Sequence, residues 1–196
     1  MFADLGTPIC VTSEKGLKVR VFRPSELNLL LVGIPKMEYR TMFESLLYTG
    51  MRYHEMQLLH ENPDWLDKRS NTIHLPRMAQ QKHEQVQKER WVRLNPIGLK
   101  IVTYFLEENN TLPIRQTWRD NLNRWCRNVN LNPEGMSVKC TRKTWESWLV
   151  YYYPASLINV LQSQGHTFTT SLQHYLSLPF VTKDKDEMRP FVDGWI

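Results

Sequence analysis

Thr72-Ile73-His74-Leu75 and Arg90-Trp91-Val92-Arg93-Leu94 bracket a polar stretch from Arg77 to Glu89, and these twenty-odd positions decide the fold. Both runs are rich in β-branched and aromatic residues and too short for helices, so they read as strands flanking a long tip. Trp65-Leu66, just after the turn-forming Asn62-Pro63-Asp64, is a third strand candidate. On either side the pattern turns helical. Upstream, Pro24-Ser25-Glu26 opens an apolar helix over Leu27 to Val32 that Gly33 and Pro35 end. Met42, Phe43, Leu46 and Leu47 then give one apolar helical face between Met37 and Tyr48. Thr49-Gly50 interrupts the chain before a further helix from Arg52 to His60. Downstream, helices are expected over residues 96–107, 114–129, 141–153, 155–164 and about 170–176, with Trp118, Trp125, Trp145 and Trp148 as packing residues. The class is α+β, mostly α-helical, with a small three-stranded antiparallel sheet.

Residues 1–23 read as a leader or linker that includes one short alternating strand, Leu17 to Phe22. Residues 24–176 form one domain. Residues 177–196 form a tail, with Met188, Phe191 and Trp195 as anchors for docking in cis or in trans.

With 196 residues, 41% hydrophobic and 23% charged, the chain can build one well-buried core. No stretch approaches the roughly 18 uninterrupted apolar residues of a membrane helix, and Met1-Phe2-Ala3-Asp4 lacks the start of a secretory signal. Cys10, Cys126 and Cys140 have no metal-type spacing, which points to a reducing, cytoplasmic setting and no metal. Charge is unevenly spread. Residues 68–143 hold 15 Lys/Arg against 6 Asp/Glu, whereas residues 147–182 hold no formally charged side chain. A basic middle before a neutral, aromatic-rich segment fits a polyanion surface beside a shielded site.

Four features recur in order. Thr49-Gly50-Met51-Arg52-Tyr53-His54-Glu55 sets an arginine after a glycine break, with Glu55 three residues on. The hairpin tip carries Lys82 and Lys88 ahead of the return strand. Lys139-Cys140-Thr141-Arg142 sets a basic residue three before an arginine. Gly165-His166 precedes Tyr175 by nine residues. His54-Glu55 with His60 is not the His-Glu-x-x-His of zinc hydrolases.

Together these features resemble the catalytic domain of the tyrosine recombinases, the phage-integrase family, over about Pro24 to Leu176. The resemblance implies a tyrosine-recombinase-like fold and a DNA strand transferase that needs no metal or other cofactor. Arg52 and Arg142 would grip the scissile phosphate, whose oxygens match the fork of a guanidinium, and Tyr175 would attack it. Lys82, with Lys88 as the alternative, would protonate the leaving 5′-oxygen as general acid. Lys139 and His166 would share phosphate contact and proton handling, and either is open as acceptor of the tyrosine proton. Glu55 would orient Arg52. Arg77, Arg90 and Lys143 are candidate contacts to DNA phosphates.

The implied partner is double-stranded DNA, bound by a homo-oligomer, a tetramer on DNA, with a monomer possible alone. The segment before Pro24 is too short for the N-terminal domain that closes the family's clamp, so the expectation is a catalytic-domain fragment or a minimal relative. Two other readings share the fold: a type IB topoisomerase-like cleavage and religation enzyme, and a non-catalytic DNA-binding module.

Overall fold

The computed structural model describes residues 6–12, 16–82, 85–86, 88–108, 111–165 and 178–196. It is α+β: helices form most of it, with a small antiparallel sheet. A hairpin of β1 (Ile9–Thr12) and β2 (Lys18–Val21) leads in, with Ile9 opposite Val21 and Thr12 opposite Lys18. The sequence foretells β2. It does not foretell β1, where a leader is expected; Ile9 and Val11 both turn inward and are buried.

Helices α1 (Pro24–Gly33), α2 (Met37–Thr49) and α3 (Tyr53–Glu61) follow. Gly50 ends α2 in the left-handed region, φ 59°, a conformation that an L-side chain adopts only at a cost. The three-stranded sheet has the order β3-β4-β7, in which β3 is Leu66–Asp67, β4 is Thr72–Leu75 and β7 is Arg90–Arg93. Trp65 ends a short 3₁₀ turn rather than starting a strand. Between β4 and β7 a 3₁₀ turn, Arg77–Gln80, leads to a two-residue ladder of β5 (Gln81–Lys82) on β6 (Gln85–Val86).

Next come α4 (Pro96–Glu107), α5 (Arg115–Asn128), α6 (Cys140–Tyr152) and α7 (Leu157–Gln164). The helix expected over about 170–176 lies outside the described residues. Helix α2 packs on α4 and on α6, and α6 also meets β2. Trp118, Trp125, Trp145 and Trp148 are fully buried in that core, as their spacing predicts. Truncating any one of them costs about 3–5 kcal/mol.

The tail forms α8 (Thr182–Val192) and packs on α6 and α1 of its own domain. Met188 and Trp195 are buried, and Phe191 is half-buried with its ring 5.2 Å from Trp148. Asn95 Nδ2 donates to the Phe191 carbonyl at 2.7 Å, and Trp195 Nε1 donates to the Arg93 carbonyl at 3.1 Å. The tail is thus tied to the end of β7.

Candidate active site

Glu55 lies at the centre of an arginine cluster. It is the third residue of α3, and its Oε2 accepts from the Arg52 backbone N–H at 2.7 Å, which fixes the carboxylate over the first turn. Arg52, the N-cap residue, folds its Nη1 back onto Glu55 Oε1 at 2.5 Å and stays partly exposed, at 29%. Arg90 reaches the same carboxylate from β7 with two parallel bonds, Nη1 to Oε1 and Nη2 to Oε2, both 2.8 Å. Fork-to-fork pairing of this kind is the strongest geometry open to an arginine and a carboxylate. Burial pushes the Glu55 carboxyl pKa up. The hydrogen bonds and charge of Arg90, with smaller contributions from Arg142 and Arg52, outweigh that and hold it at about 2.

Arg142 enters from the first turn of α6. Its Nη1 donates to the Gly50 carbonyl at 2.6 Å and to Gln164 Oε1 at 3.3 Å, while Nη2 donates to the Gln164 carbonyl. It therefore ties the glycine break before Arg52 to the end of α7. Burial, then the neighbouring Arg90 charge, pulls its pKa down to about 10, which leaves it protonated at neutral pH. Glu146, buried one turn further along α6, offsets part of this charge. Three arginines and the half-buried Lys143 thus face two carboxylates.

Gly165 closes α7 with φ 65°, and a Cβ there would sit 2.9 Å from Arg90 Cδ. Arg90 Nε donates to the Ser163 carbonyl at 3.1 Å. The chain consequently passes over the arginine cluster at the residue that immediately precedes His166. Among the described residues, no group of three His, Cys, Asp or Glu side chains is placed to hold a metal ion.

Of the residues singled out in the sequence, Arg52, Glu55, Arg90 and Arg142 come together. Lys139 stands exposed at the N-cap of α6, and burial lowers the pKa of Lys143 in the next turn, opposed by Glu146. Arg77 and Lys88 are exposed at the two ends of the hairpin excursion. Lys82 closes the short ladder opposite Gln85, which is the tip position expected for it; its side chain lies outside the described atoms. His166 and Tyr175 lie outside the described residues.

One expectation is corrected. Arg90 is not a surface contact for DNA phosphate: it is 4% exposed and committed to Glu55. The signal was in the strand. In Arg90-Trp91-Val92-Arg93 the period of two sets Arg90 on the face of Val92, and that face is buried, while Trp91 is 52% exposed. Gln164, the other member of the cluster, carries no sequence signal beyond preceding the glycine that ends its helix.

Comparison with known proteins yields no family model, no curated protein and no solved structure that matches the chain.

Proposed function

We propose that the chain cuts and rejoins duplex DNA through Tyr175, as a site-specific recombinase or integrase of the tyrosine-recombinase type. The observation that carries this reading is the clustering of Arg52, Arg90 and Arg142 from three separated parts of the chain. Arg52 and Arg90 bond to Glu55, and Arg142 ties Gly50 to Gln164 beside them, with the chain reaching the cluster at Gly165. A surplus of guanidinium charge held largely out of water suits a phosphate that gains negative charge in its transition state. Arg52, the arginine of the three with exposed surface, is the one best able to meet the phosphate, while Arg90 and Glu55 hold it in register.

In this reaction the Tyr175 oxygen bonds to phosphorus as its proton passes to His166, and the bond from phosphorus to the 5′-oxygen breaks. Lys82 supplies the proton to that oxygen. Lys139, exposed at the N-cap of α6, contributes a cation to the phosphate. The 3′-phosphotyrosyl link conserves the bond, and attack by a 5′-hydroxyl reverses each step. An unperturbed phenol has a pKa of about 10, so nearby cations must favour its ionisation. The setting is an intracellular compartment that holds DNA.

The test is covalent capture. Wild type and Tyr175→Phe are incubated with nicked duplexes of randomised sequence and resolved in SDS. Wild type yields a protein–DNA adduct and Tyr175→Phe yields none; sequencing the captured DNA names the site. Absence of an adduct with wild type overturns the reading in favour of a binding module. Relaxation of a supercoiled plasmid without paired sites turns it toward a topoisomerase.

A further inference from the structure

A second basic surface lies beside the arginine cluster. Strand β2, helix α5 and the segment leading into α6 enclose a groove of about 680 Å³. Its walls carry Lys18, Arg115, Arg119 and Lys139, with Val19 and Val138 among the apolar residues beneath, and among the described residues no acidic side chain lines it. Lys18 is held by Glu134 at 2.7 Å. The side chains of Arg115 and Arg119 are exposed and make no ion pair among the described residues. Fold stability does not account for Arg115, because a cation in the first turn of a helix opposes its dipole.

We infer that this groove seats the phosphate backbone of duplex DNA flanking the cleaved phosphate. Arg115 and Arg119 are one turn apart on α5, about 6 Å along its axis, close to the rise of about 7 Å over two phosphate steps on one strand. Lys139 joins the groove to the cluster: it lines the one and is the N-cap of the helix whose first turn supplies Arg142 to the other. A duplex lying along the groove therefore leads into the candidate active site. This inference rests on the DNA-cleaving reading above.

The experiment measures binding of a fluorescein-labelled duplex to the full chain by anisotropy, across about 50–200 mM salt. Arg115→Ala/Arg119→Ala is compared with Lys183→Ala/Arg189→Ala, which removes the same charge from exposed positions of α8. The groove variant should lower the slope of log affinity against log salt by about 2, roughly one for each phosphate left without its cation, and keep the wild-type melting temperature. The α8 variant should leave the slope unchanged. An equal fall in both variants, no fall in the groove variant, or no duplex binding by wild type overturns the groove. Capture in SDS is run on the same preparations. An adduct with an unchanged slope sinks the groove alone, whereas a lowered slope without any adduct sinks the cleavage reading and keeps the groove.

Discussion

Arg20–Glu26 and Arg90–Glu55 are the same device used twice. Each glutamate is the third residue of a helix, each accepts the backbone N–H of its own N-cap residue, and each pairs with a buried arginine from a strand. The pair Arg20–Glu26 is 2.7 Å long and 1% exposed on both sides, and Arg20 Nη1 donates to the Asn132 and Glu134 carbonyls, while its buried Nε has no hydrogen-bond partner among the described residues. That pair is closed. Around Glu55, by contrast, Arg52 and Arg142 join Arg90, and the Arg52 side chain keeps a route to solvent. One buried arginine matched to one carboxylate joins a strand to a helix. Three arginines around Glu55, offset in part by Glu146, leave a positive surplus that an anionic ligand can fill.

The largest effect separates the two pairs. Glu26→Ala and Glu55→Ala each strand a buried arginine and should cost about 3–5 kcal/mol in urea unfolding. Replacing both partners with apolar residues should undo most of that loss for Arg20→Met/Glu26→Leu. The same repair, Arg90→Met/Glu55→Leu, should recover less, since Arg52 loses its carboxylate partner and Arg142 loses Glu55 while keeping Glu146. Equal recovery in the two double variants breaks the comparison.

Acid unfolding sharpens it further. The Glu55 carboxyl is held at about 2, below its unfolded value of about 4.3. Its contribution is therefore present in full above the unfolded value and lost as pH falls through that window toward 2. The urea midpoint of wild type should drop between pH 6 and pH 3, and Glu55→Gln, which does not titrate, should drop less. A parallel fall in the two proteins contradicts the assignment.

The smallest change in stability accompanies a large change in chemistry. Arg52→Ala leaves Glu55 paired with Arg90 and should cost about 1 kcal/mol or less, given its partial exposure. Adduct formation on nicked duplex should nevertheless slow by about 10²–10³-fold. An unchanged rate removes Arg52 from the site.

Local patterning made most of the fold legible. Periods of two and 3.6 located the strands at 72–75 and 90–93 and bounded the helices to within a residue or two, because apolar spacing and glycine breaks at Gly50 and Gly165 act over a few positions. Strand β1 and helix α8 escaped that logic. Four residues give too short an alternation, and Thr182–Val192 is mostly charged, so its few anchors count only once they meet the core. At the candidate site, Arg52, Glu55 and Arg142 were singled out by their order along the chain and lie together, whereas Gln164 carried no such signal.

By itself, the sequence determined a mixed α+β class, a basic middle and an ordered set of arginine, lysine, histidine and tyrosine positions, since each of these depends on composition or on neighbours in the chain. Only the tertiary structure decided that Arg90 turns inward to Glu55, that Gln164 braces Arg142 and that the tail folds back onto its own domain. Charges tens of residues apart acquire a common environment only when packing removes water between them, and the energy of a buried ion pair depends on that dryness.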